Sequence, residues 1–207
     1  MTDPTTVIAD VATLERLYGA PSEASIVKEV DHVHPVYRKL IEASPFAILA
    51  TSGPGGLDAS PRGDGPGFVV VEGEKTLLLP DRRGNNRTDS LRNIIGDPRV
   101  ALLFLIPGIG ETLRVNGRAT ISIESTLLRR FAVEGKEPRS VLVIAVETVY
   151  FQCSRAVVRA DLWNPEKRVS RATLPSSGAI LAALSNARIG GEAYDRALPE
   201  RLKSTLY

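Results

Sequence analysis

The chain has 207 residues, of which 43% are hydrophobic and 24% charged, and its 26 basic and 24 acidic side chains leave a net charge of +2. That length predicts a single domain with a substantial core, and two surplus charges make no one-signed field of the kind that a sequence-independent nucleic-acid binder needs. One cysteine, Cys153, excludes an intrachain disulfide and a multi-cysteine zinc site.

Three segments follow one another. The first, 1–44, reads as helical. Its opening, MTDPTTVIADVATLERLYG, has neither the basic start nor the apolar stretch of a signal peptide, which predicts a cytoplasmic protein. Val7, Val11, Leu14 and Leu17 recur at helical spacing until Gly19 and Pro21 end the run, and a second helix is predicted over 33–43 with Val36, Leu40 and Ala43 on one side. His32 and His34, the only histidines, lack a nearby third ligand and read as a solvated pair, so no metal is expected.

The middle segment, 45–152, reads as six strands: FAILAT (46–51), GFVVVE (67–72), KTLLLP (75–80), RVALLFLIP (99–107), ETLRVNGRATIS (111–122) and SVLVIAVETVYFQ (140–152). Glycine- and proline-rich turns separate them, which predicts a mainly β, antiparallel barrel or closed sheet. Helices fit only at 88–96 and 124–134. The last segment, 153–207, carries an arginine-rich stretch and a helix predicted over 176–184. No apolar run approaches the roughly 20 residues that span a bilayer, so no membrane partner is expected.

The most informative stretch is PDRRGNNRTDSLRNI (80–94). It leaves a strand, crosses a polar loop and enters a helix capped by Thr88 or Asp89. Free amides at the helix start, the permissive Gly84 and the guanidiniums of Arg82, Arg83 and Arg87 suit a phosphate, with Asn85, Asn86 and Ser90 adding neutral hydrogen-bonding groups. A solvated loop fits the same residues. A second cluster, DASPRGDGPG (58–67), fails the G-x-G-x-x-G pattern and precedes a strand, so it reads as a wide hairpin loop carrying Arg62. Neither a P-loop nor a nucleophile elbow is present. In CSRAVVRADLW (153–163), Arg155 and Arg159 share a face if helical, Cys153 reads as a buried structural cysteine, and Trp163 either anchors the tail in the core or stacks on a ligand.

Taken in order, SPFAILATSG (44–53), SPRGDGPGF (60–68), LPDRRGNNRTDSLRNI (79–94), DPRVALLFLIPG (97–108), ETLRVNGRA (111–119) and CSRAVVRADLW (153–163) resemble the pyridoxamine 5′-phosphate oxidase-like flavoproteins with an FMN-binding split barrel, and within them an uncharacterised bacterial subgroup. The resemblance implies a six-stranded antiparallel split barrel with peripheral helices, a homodimer, and FMN at the subunit interface. It sends the phosphate to Arg62, Arg82, Arg87 and the loop and helix start at Asn85, Asp89 and Ser90. It sets the strand end at Pro80 against the flavin ring and lets Arg159 and Trp163 reach that ring from the partner subunit. Where the subgroup has a His and a Lys around the cysteine, this chain has Gln152 and Arg155.

The implied function is that of an FMN-dependent oxidoreductase acting on a small molecule or NAD(P)H. The alternatives are a flavin storage or sensing protein without turnover, and a relative that binds a deazaflavin. Haem is disfavoured because both histidines lie outside the strands. An RNA-binding barrel is disfavoured by the few aromatic residues and the small net charge.

Overall fold

The computed structural model describes residues 6–207. Seven antiparallel strands form one sheet in the order β2-β1-β5-β6-β7-β4-β3. They are β1 (Phe46–Gly53), β2 (Gly56–Gly63), β3 (Val70–Val71), β4 (Thr76–Asp81), β5 (Arg99–Leu105), β6 (Thr112–Ser122) and β7 (Ser140–Gln152). Strict alternation builds the core: Ala47 and Leu49 of β1, Val100, Leu102 and Phe104 of β5, and Leu113 and Val115 of β6 all turn inward and are buried.

The expected split barrel holds, with one correction to its strand count. The stretch read as a wide hairpin loop is the seventh strand, β2, paired along its whole length with β1 from Phe46 opposite Gly63 to Gly53 opposite Gly56. Its polarity hid it. β2 sits at a sheet margin, where Pro61 is tolerated because no further strand needs its missing N–H. The predicted strand 67–72 shrinks to Val70–Val71, the other margin. The two margins do not pair with each other, so the sheet is not closed, and the gap between β2 and the end of β4 is where the molecule opens.

A bulge bends the longest ladder. Asn116 lies opposite Thr148 and Gly117 opposite Val146, so Glu147 is the extra residue. Gly117 is required at that bend, since a Cβ there would lie 2.2 Å from the Ala145 carbonyl oxygen.

The helices are α1 (Val11–Tyr18), α2 (Glu23–Ile26), α3 (Pro35–Ala43), α4 (Asp89–Gly96), α5 (Ser125–Arg130), α6 (Arg155–Ala160), α7 (Ser177–Leu184) and α8 (Gly191–Thr205). Helix α1 is capped by Asp10, which accepts from the Thr13 N–H at 2.7 Å, but Val7 precedes it and Val11, Leu14 and Leu17 are exposed. In α3 the buried residues are Tyr37 and Ile41, while Val36 faces solvent, correcting the predicted apolar side. Tyr37 also donates to the Lys28 carbonyl at 2.6 Å, and that bond selects its face. Cys153 is exposed, contrary to its reading as a buried residue, because β7 ends at Gln152 and the chain turns outward. Among the described residues no helix is long and apolar enough to cross a membrane, and no group of three metal-ligating side chains converges.

Where α4 hands over to β5, the Asp97 carboxylate accepts from the Arg99 side chain and then from its backbone N–H, which together pull its pKa from 3.8 down to about 2. A carboxyl lowered on folding stabilises above its unfolded pKa and loses that contribution as pH falls toward the folded value. The melting-temperature difference between wild type and Asp97→Asn is therefore expected to be full above pH 4 and to vanish toward pH 2. A difference independent of pH would refute this link.

Candidate functional site

The split between the sheet margins holds a cleft of about 630 Å³. One wall is β2. Asp58, Ser60 and Arg62 lie opposite Thr51, Leu49 and Ala47 in the ladder, so they share the inward face with those buried residues. Polar side chains are tolerated on this inward face because the interior here is open cleft. The other wall is the end of β4, Pro80–Asp81, and the loop running from it into α4, with Phe68, Arg139 and Ser140 completing the lining.

Side-chain ion pairs bridge the split where backbone pairing stops. Arg62 Nη1 donates to Asp81 Oδ1 at 2.7 Å, with both side chains under one-fifth exposed. One step along, Arg82 Nε donates to Asp64 Oδ2 at 2.8 Å and Arg82 Nη1 to the Phe131 carbonyl at 2.6 Å. Phe131 is held in its own buried cluster with Leu78 and Val141. These pairs set the width of the cleft. Arg62 Nε is left buried without a hydrogen-bond partner among the described residues, an arrangement that is costly unless a ligand supplies an acceptor.

The loop is shaped by side chains bonding to nearby backbone and to each other. Asn85 Oδ1 accepts from the Arg87 N–H at 3.0 Å, Arg139 Nη1 donates to Asn86 Oδ1 at 3.1 Å, and Arg87 pairs with Asp89 at 2.8 Å in solvent. Positive φ falls on Asn86 (62°) and Thr88 (55°), not on Gly84, which corrects the role read for that glycine. Thr88 occupies the N-cap position of α4 but makes no side-chain cap, and Asp89 lies in the first turn. The amides opening α4 thus remain available to an anion. Ser90 is buried and donates to Asp58 Oδ2 at 2.6 Å, while Asn93 Nδ2 donates to Thr51 Oγ1 at 3.1 Å, which ties α4 to the strands.

Seven of the nine residues singled out in the sequence line this one cleft: Arg62, Pro80, Arg82, Asn85, Arg87, Asp89 and Ser90. Arg159 and Trp163 do not. Arg159 is exposed on α6, and Trp163 Nε1 donates to the Ile109 carbonyl at 2.8 Å beside the β5–β6 turn. Asp58, Asp81, Asp64, Ser60 and Arg139 were missed. Arg139 lies 52 residues beyond Arg87 in the sequence and carries no local signal; Asp81 and Asp64 are legible only as partners of arginines across the split, and Asp58 only as the partner of Ser90. Five arginines against three aspartates line the cleft, so its field is positive.

Among solved structures, the chain is similar to HupZ of Group A Streptococcus, at 20% identity over 56% of this chain and 91% of that one, with a TM-score of 0.47. It is similar to General Stress Protein 26 from Bacillus anthracis, at 18% identity over 55% and 88% with a TM-score of 0.42. A third similarity is to the FAD binding protein from Mycobacterium smegmatis, at 12% identity over 58% and 95% with a TM-score of 0.40. No curated protein matches. The model of the pyridoxamine 5′-phosphate oxidase family matches residues 33–153. That span is more than half of the chain and contains every strand and the whole cleft, and the protein belongs to that family.

Proposed function

We propose that the cleft binds FMN and that the protein is an FMN-dependent oxidoreductase working as a homodimer in the cytoplasm. The observation that carries the reading is Arg62: a buried guanidinium nitrogen without a partner, in a positively charged cleft whose volume is within the range of small-molecule sites. The residues fit the group. Arg62, Arg87, Asn85 and the backbone amides of Asp89 and Ser90 that open α4 would hold the phosphate. Arg82 is already engaged by Asp64 and Phe131, so its part is to hold the wall. The strand end at Pro80 would lie along the ring.

Bound flavin supplies hydride transfer at its N5, while the protein orients it and tunes its potential. The cleft arginines favour an anionic ligand state. Dimerisation is supported by the outer face of the sheet, where Phe46, Ile48, Pro61, Leu103 and Leu105 form an apolar surface that is only partly covered in one chain. By the family resemblance, a second copy would bring Arg159 and Trp163 to its neighbour's cleft. Trp163→Ala is therefore expected to weaken FMN binding about tenfold, the loss typical of one stacked aromatic. Fluorescence titration checks it, and unchanged affinity would remove Trp163 from the site.

One observation favours a reading without turnover. The carboxylates in the lining, Asp58, Asp81 and Asp89, are each already bonded to a neighbouring side chain rather than held free to move a proton. Steady-state NADH and NADPH oxidation at full FMN occupancy separates the two readings. Consumption above that of free FMN supports the oxidoreductase, and none supports storage or sensing.

A further inference from the structure

Beside the cofactor cleft lies a second cavity of about 230 Å³, lined by Arg82, Arg83, Lys136, Glu137, Pro138, Arg139 and Tyr207. It shares Arg82, Arg83 and Arg139 with the cleft, so the two adjoin at these three arginines. Among the described residues, the side chains of Arg83 and Lys136 have no hydrogen-bond or ion-pair partner. Glu137 is the one acidic side chain in the lining.

Tyr207 comes from outside the family match. Helices α7 and α8 form a hairpin that is tied together by Asp195, which accepts from the Ser176 hydroxyl and, at 2.7 Å, from the Gly178 N–H. The hairpin packs on itself, and neither helix packs extensively on a strand. Its end is nevertheless fixed at the split: the Tyr207 hydroxyl donates to Asp64 Oδ1 at 2.7 Å, and its ring lies 5.5 Å from the Arg82 guanidinium. Asp64 is the same carboxylate that holds Arg82 in the cleft wall. Burial pushes the Asp64 carboxyl up, but the bonds from Tyr207, the Gly65 N–H and Arg82 outweigh it and keep the group ionised; the same contact raises the Tyr207 phenol and keeps it a donor.

We propose that the second cavity is the entry site for an oxyanion-bearing second molecule and that Tyr207 gates it. Unpaired cations attract the ligand, and Tyr207 stands in the same lining, held by its hydroxyl on Asp64 and its ring against Arg82. An oxyanion drawn to Arg83, Lys136 and Arg139 competes with Asp64 for Arg82, loosens the Arg82–Asp64–Tyr207 contact and lets the end of α8 swing away. The inference rests on the flavin reading only in that the gate opens onto the cleft.

Hydrogen-exchange mass spectrometry of the full chain tests it, with the flavin content of the same sample read from its visible absorption. Asp64→Asn and Tyr207→Phe are each expected to speed exchange in the last turns of α8 severalfold. In wild type, inorganic phosphate is expected to do the same, against chloride at equal ionic strength. Lys136→Ala should raise the phosphate concentration required by about tenfold, the loss of one charge-assisted bond, and Glu137→Gln should lower it. A response to phosphate alone assigns a phosphoryl group, and an equal response to acetate assigns a carboxylate. Exchange in α8 that ignores both variants, or both anions, overturns the gate. A sample that shows the exchange response but holds no flavin sinks the reading of the cleft and leaves the gated anion site standing.

Discussion

Arg62→Ala is expected to abolish flavin retention through purification, a loss of about two orders of magnitude in affinity if two charge-assisted bonds to the phosphate disappear. Among the described residues, Arg62 Nε is the buried cleft nitrogen that lacks an acceptor. The same substitution strands Asp81, whose carboxylate sits beside it with little exposure, so some stability is lost as well. The double variant Arg62→Ala/Asp81→Asn separates the effects. It should recover the melting temperature and remain colourless. If it regains flavin, the guanidinium does not hold the cofactor and Arg62 is only a bridge across the split.

Gly117→Ala is expected to cost about 3 kcal/mol, the upper range for overpacking a site that cannot relax. The added methyl would meet the Ala145 carbonyl at 2.2 Å and the Ile144 side chain at 3.2 Å. Both are fixed, since Ile144 is fully buried and Ala145 is paired in the ladder. In a chain of this size the melting temperature should fall by roughly 6–12 °C. Gly55→Ala, where a Cβ meets nothing within 4 Å, is the control. An unchanged melting temperature for Gly117→Ala would mean that the bulge is free to adjust.

The strands that pack on the core were legible because alternation is imposed by burial. Val100, Leu102 and Phe104 announce β5, and the same period runs through β6. β2 was not legible. Its inward residues Asp58, Ser60 and Arg62 face a cleft, so the rule that inward means apolar fails where a ligand would sit. The polar loop was found from its composition, yet its conformation turned on Asn86 and Thr88 rather than on its glycine. Asp64 and Tyr207, 143 residues apart in the sequence, meet only through the tertiary fold, and no local pattern joins them. Helix α8, the longest in the molecule among the described residues, was missed because Pro199 interrupts its pattern and none of its residues is buried.

The split between β2 and β4 is the proposed FMN site. Its most direct test is the visible absorption spectrum of the purified protein, followed by release of the chromophore with heat and its identification by chromatography. A flavin spectrum with FMN released at one equivalent per chain is the predicted result. A colourless protein that also fails to take up added FMN would contradict it, and the arginines of the cleft would then belong to a different anionic ligand.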